Sequence, residues 1–127
     1  MEYKELMNDV FELERKLFLK MDSYCLIEQK SKIKCLSLAD KQMLYADIQH
    51  VYTRLIRTIR QACSSLNEED VMFCCLSKLN LDNTRLGHCM GSTSRQAINQ
   101  RRYRIKKKMK EANCDYLFDM IFPPPDK

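Results

Sequence analysis

Proline is absent from residues 1–122, and the chain has only two glycines, Gly87 and Gly91. The three prolines stand together at Pro123, Pro124 and Pro125. A β-sandwich or barrel turns about every 8–12 residues, usually at Gly, Pro or Asn-Gly, and no such series of turn signals exists here. Walker and dinucleotide loops need several glycines within one short stretch, so those nucleotide-binding folds are excluded as well. What remains is an all-α chain. At 127 residues and 15.1 kDa it can hold one domain, or a small domain carrying a helical arm.

Hydrophobic residues make up 45% of the chain and charged residues 31%, a globular rather than a disordered balance. No apolar run reaches the roughly 20 residues of a membrane helix. Glu2, Lys4, Glu5 and Asp9 precede any apolar stretch, unlike a signal peptide. A cytoplasmic protein is expected. The seven cysteines are odd in number and fall mostly among apolar residues, so they are expected to stay reduced and to pack as small hydrophobes.

Apolar side chains recur at Tyr3, Leu6, Val10, Leu13, Leu17, Met21 and Tyr24, close to a heptad seam, with Phe11, Phe18 and Leu19 beside them. The spacing predicts one amphipathic helix over about 2–31. It either covers its own core or, through Leu6, Val10, Leu13 and Leu17, serves as a dimer arm. Ser37 is a candidate N-cap, and a one-sided helix is expected from about Asp40 to Ser64 with Arg54, Arg57 and Arg60 on its solvated face. Asn67 three residues before Asp70 is capping-box-like, and Glu68, Glu69 and Asp70 suit the positive end of the next helix. Asn80 reads as a left-handed C-cap and Asp82 or Asn83 as the cap of a short helix through Met90. Gly91 to Ser94 forms a turn, and Thr93 or Ser94 caps a long basic helix to about Ala112. Apolar residues from Tyr116 to Phe122 give a last turn or two before the prolines stop regular structure.

The formal net charge of +5 is unevenly spread. Arg95, Arg101, Arg102, Arg104, Lys106, Lys107, Lys108 and Lys110 are opposed between Gly91 and Ala112 by Glu111 alone, which leaves the rest of the chain slightly acidic. Cations gathered on one helical element are the footprint of a polyanion-binding surface.

A short helix, a tight turn and a long basic helix are the layout of a helix-turn-helix unit. Leu66 to Met109 resembles the LuxR/GerE-type helix-turn-helix, and more closely the variant at the C-terminus of bacterial sensor-regulators whose upstream part is a tetratricopeptide-repeat array or a membrane segment. The residues that carry the likeness are Leu66-Asn67-Glu68-Glu69, Cys75-Leu76-x-x-Leu79, Asp82-Asn83-x-x-Leu86-Gly87 and Ile98-x-x-Arg101-x-x-Arg104-Ile105-x-x-Lys108-Met109. The chain departs from the pattern in a turn one residue longer than usual before Ile98, and in His88-Cys89. The longer turn leaves the recognition-helix register open by one residue. The resemblance implies a recognition helix over about 94–111.

At about 100° per residue, Ile98, Ile105 and Met109 share the inward face of that helix. Gln96, Gln100, Tyr103 and Lys107 lie opposite and are the candidates for base readout, since Gln suits adenine and Lys suits guanine in the major groove. Thr93, Ser94, Arg95, Asn99, Arg101, Arg104 and Lys106 are the candidates for phosphate contacts, which position without reading sequence. Arg101 and Arg102 border the apolar face, so a structural role with heads paired to acids stands beside the phosphate role.

His88, Cys89, Cys74 and Cys75 lack the spacing of a zinc site, and nothing suggests a catalytic cleft. No metal, no cofactor and no enzymatic activity are expected. The expected organisation is a helical arm or linker over 1–64 with a candidate dimerisation region, a DNA-binding helix-turn-helix over 65–122, and a disordered tail over 123–127. The function expected is that of a sequence-specific, DNA-binding transcriptional regulator or its C-terminal effector domain, acting on double-stranded DNA as a homodimer, with an upstream sensor domain or partner protein a further expectation. The alternative is a helical protein-interaction module whose basic helix meets an acidic partner or a polyanion without sequence preference.

Overall fold

The computed structural model describes residues 3–92 and 94–122, and among them every regular element is helical. The expected tail over 123–127 and the candidate Thr93 lie outside the described residues. The elements are α1 (Tyr3–Phe18), α2 (Asp22–Leu26) with a π-helical turn (Ile27–Ser31), α3 (Leu38–Val51), α4 (Thr53–Ala62), α5 (Glu68–Ser77), α6 (Asn83–Met90), α7 (Arg95–Glu111) and α8 (Asp115–Ile121). No helix among them is long and apolar enough to cross a membrane.

Four helix starts follow from local capping chemistry. Ser37 accepts the Asp40 N–H at 3.1 Å and begins α3. Asn67 and Asp70 form both legs of a capping box at the start of α5. Asp82 accepts the Arg85 N–H at 2.8 Å to begin α6, and Ser94 accepts the Ala97 N–H at 3.1 Å to begin α7. Each such cap satisfies an orphan donor and contributes about 1 kcal/mol. Asn80, at φ 63°, turns the chain after α5, and Asn113, at φ 60°, does the same between α7 and α8.

α5 is the axis of the core. Every residue from Asp70 to Leu79 is buried, and α3, α4, α6 and α8 pack around it. A single apolar cluster extends from Phe11 in α1 to Phe122 beyond α8, so the first and last helices share one core. Five cysteines, 63, 74, 75, 89 and 114, are buried within it, and all seven thiols are free. Burial pushes the Cys89 thiol up to about 11, and raises Cys74 far above its ordinary value. Such thiols stay protonated at neutral pH.

Two long helices of the sequence reading are broken. The stretch expected as one helix over about 2–31 stops at Phe18 and restarts at Asp22, because the chain turns there to bring Ser23 against the Asp47 carboxylate of α3. The following π turn then packs on α6. The stretch expected as one helix from about Asp40 to Ser64 breaks at Tyr52. Glu14 of α1 is buried there, and its carboxylate accepts the backbone N–H groups of Arg54 at 2.8 Å and Leu55 at 3.1 Å and the Thr53 hydroxyl at 3.3 Å. A charge from another helix thus caps α4, a partner that local sequence does not reveal.

α1 packs on α3 and α4 through Phe11, Glu14 and Phe18, with Met7 half-buried beside them. Those are the residues that flank the heptad-like seam. The seam itself, Tyr3, Leu6, Val10, Leu13 and Leu17, is exposed.

Candidate nucleic-acid interface

The connection between α6 and α7 is short because Gly87 permits it. A Cβ on Gly87 would stand 2.4 Å from the Ser92 carbonyl oxygen, and the Ser92 N–H donates to the Gly87 carbonyl at 2.7 Å. Gly91 ends α6 in the left-handed region at φ 81°, where glycine carries no steric penalty. The turn is also tied to the rest of the chain. The Leu36 N–H donates to the His88 carbonyl at 3.1 Å, and Lys41 Nζ donates to the Met90 carbonyl at 3.4 Å.

α7 is held in one rotational setting. Ile98, Ile105 and Met109 are buried, the inward face that periodicity assigns. Beside them, Arg101 Nη1 donates at 2.7 Å and Arg104 Nη2 at 2.8 Å to the same oxygen of Asp70. Asp70 is fully buried, and its other oxygen accepts the Asn67 N–H at 3.2 Å. Burial pushes its carboxyl up, but the Arg104 hydrogen bond, the Asn67 N–H and the charges of Arg104 and Arg101 outweigh burial and hold it below its ordinary value. On the other border of the inward face, Arg102 donates to Asn83 at 3.0 Å and to Asn99 at 3.1 Å, 6.0 Å above the Phe73 ring. Burial lowers its pKa.

The opposite face is open. Gln96, Gln100, Tyr103 and Lys107 are all exposed, Tyr103 by 70%. With Arg95 and Asn99, the first three line an open depression on the surface. Backbone N–H groups at the start of α7 adjoin this face, with Ser94 as the cap.

The cations of α7 divide into two sets. Arg101 and Arg104 are bound to Asp70, Arg102 to two asparagines, Lys108 to the Ser65 carbonyl at 3.1 Å, and Lys106 lies 5.4 Å over the Phe118 ring. Arg95, Lys107 and Lys110 are exposed and make no ion pair among the described residues. Of the candidate phosphate contacts, Arg95, Asn99 and Ser94 therefore face solvent at the N-terminal end. Arg101, Arg104 and Lys106 are committed to contacts within the fold.

Asp70 and Asn83 are the site residues that sequence reasoning did not assign. A usable signal existed for Asp70. It opens a helix that is apolar nearly all round, and a charge on such a helix must find a partner.

No protein-family model, no curated protein and no solved structure matches this chain.

Proposed function

We propose that this chain is a sequence-specific DNA-binding transcriptional regulator, or the effector domain of one, and that α7 enters the major groove of double-stranded DNA. The observation that carries this reading is the exposed face of Gln96, Gln100, Tyr103 and Lys107 on a helix whose rotation is fixed from behind by Ile98, Ile105, Met109 and Asp70. A helix that reads base edges needs polar side chains pointing into the groove and a rigid seat that sets their register. The tight connection between α6 and α7, and the resemblance to LuxR/GerE-type helix-turn-helix units, support the same reading by analogy. Arg95, Asn99, Ser94 and the start of α7 take phosphates at one end, and Lys107 and Lys110 add positive charge along the helix. The free cysteines suit a reducing compartment, which favours the cytoplasm. Catalysis plays no part in this proposal.

A protein-binding helix would instead present apolar anchors at i, i+4 and i+7. The face at Gln96, Gln100, Tyr103 and Lys107 has only the Tyr103 ring to offer, so the partner-protein alternative has less to rest on. The test is selection from a pool of random DNA duplexes at near-physiological salt, followed by sequencing of the bound fraction. A recovered motif whose binding falls far more than random-duplex binding on Gln100→Ala or Lys107→Ala supports groove readout. Retention without any motif would reduce α7 to an electrostatic clamp. No retention would favour the acidic-partner alternative.

A further inference from the structure

α1 leaves its seam facing water. Leu6 is 51% exposed, Leu13 62% and Leu17 61%, and Val10 lies between them on the same line. The steps of 4, 3 and 4 are those of a helix-on-helix seam, which runs about 17 Å along α1 from Leu6 to Leu17. α1 needs none of these residues for its own packing, which Phe11, Glu14 and Phe18 supply from the adjacent face. Singly exposed leucines are ordinary, but a continuous line of them along one helix marks an interaction surface.

The charges beside the seam say what covers it. On the flank away from the core, the first half of α1 carries Glu5 and Asp9, and the second half carries Lys16, with Lys20 just beyond the helix end. All four are exposed, and none has an ion-pair partner among the described residues. A surface whose acidic half and basic half lie along one line is complementary to its own copy turned end for end. A copy laid parallel would instead turn this charged flank toward the core-side flank of the other helix and leave its two halves unmatched.

We infer that two copies of this chain associate through α1 in an antiparallel, two-fold arrangement. Leu6 then meets Leu17 of the partner subunit and Val10 meets Leu13 of the partner subunit, and the symmetry axis generates the other two layers. Asp9 faces Lys16 of the partner subunit on both sides of the axis. The association stands apart from the groove reading of α7 and needs no DNA.

Sedimentation equilibrium of the whole chain, without DNA and over a concentration series up to its solubility limit, tests it. The expected mass rises to twice the 15.1 kDa of one chain. Leu13→Glu with Leu17→Glu changes only exposed positions, so helicity by circular dichroism stays intact while the mass falls to that of one chain. Asp9→Lys alone and Lys16→Asp alone each weaken the dimer. Mixing these two variants, or combining both changes in one chain, brings the dimer mass back. A wild-type chain that stays monomeric at every concentration overturns the inference, and so does a dimer indifferent to the Leu13 and Leu17 changes. A dimer unaffected by Asp9→Lys overturns the antiparallel orientation. Because every deciding readout is a mass measured without DNA, none of these failures touches the reading of α7.

Discussion

Replacing Asp70 probes the seat of α7 directly. Its carboxylate joins the α5 cap to Arg101 and Arg104, which lie one turn apart on α7. Breaking a fully buried ion pair costs about 3–5 kcal/mol, mostly because the surviving charge is left without water. Here Arg104 is 46% exposed on its side chain, and it can exchange the carboxylate for solvent. That exposure discounts the ionic loss to below that range, at about 2–3 kcal/mol for Asp70→Asn. Asp70→Ala also loses the capping leg to the Asn67 N–H and should cost about 1 kcal/mol more. Against a total stability of about 5–15 kcal/mol, either change is large enough to be read from urea unfolding followed by circular dichroism.

The dependence on pH separates charge from packing. The folded carboxyl is held below its ordinary value of 3.8, so the unfolded chain binds this proton more readily. The stabilisation is therefore fully present above that ordinary value and is lost as pH falls through the lowered folded value. The gap between wild type and Asp70→Asn should accordingly be flat near neutrality and shrink in acid. An Asp70→Asn variant within about 0.5 kcal/mol of wild type near neutral pH would refute the reasoning, as that is the scatter of ordinary surface substitutions. A gap that persists unchanged into acid would show that the charge is not its source.

Gly87→Ala should cost about 2 kcal/mol through the contact with Ser92, while Gly91→Ala should cost about 1 kcal/mol through its positive φ alone; thermal melts in which Gly91→Ala is the worse of the two would contradict the tight-turn account. Glu14→Ala should cost about 2–3 kcal/mol and speed amide exchange at Arg54 and Leu55, whose N–H groups it caps, and unchanged exchange there would sink that role. With Arg95, Lys107 and Lys110 as the cations not engaged within the fold, the slope of log K against log salt on duplex DNA should be about −3 per chain, whereas a slope near −7 would mean that the internal contacts of α7 open on binding.

The parts of the fold legible in the sequence are those fixed by local chemistry. Ser37, Asn67, Asp82 and Ser94 begin helices because each side chain meets its own backbone three residues on. Asn80 and Gly91 end helices because they tolerate the left-handed region. The breaks at Leu19–Met21 and Tyr52 were not legible. Neither contains Gly or Pro, and both depend on partners far along the chain, Asp47 for Ser23 and Glu14 for the start of α4. Periodicity also left open which side of α1 faces the core. Its apolar residues form an arc wide enough to include both the seam and the Phe11–Phe18 edge, and nothing local decides which part faces the core.

Charge counting alone does not say how α7 uses its cations. Eight cations among the 16 residues from Arg95 to Lys110 look like one electrostatic surface, but a helix distributes them around its axis. Arg101 and Arg104 fall on one border of the buried face and Arg102 on the other, so burial of Ile98, Ile105 and Met109 draws all three toward polar partners inside the fold. Part of the concentrated charge thus serves to orient the helix. The exposed face opposite is then mostly neutral and polar, with Lys107 its one cation. Under the function proposed for α7, such an element gains little affinity from charge alone and much from the fixed direction of Gln96, Gln100 and Tyr103, so discrimination between duplexes, rather than tightness on any one, is the property by which that proposal should be judged.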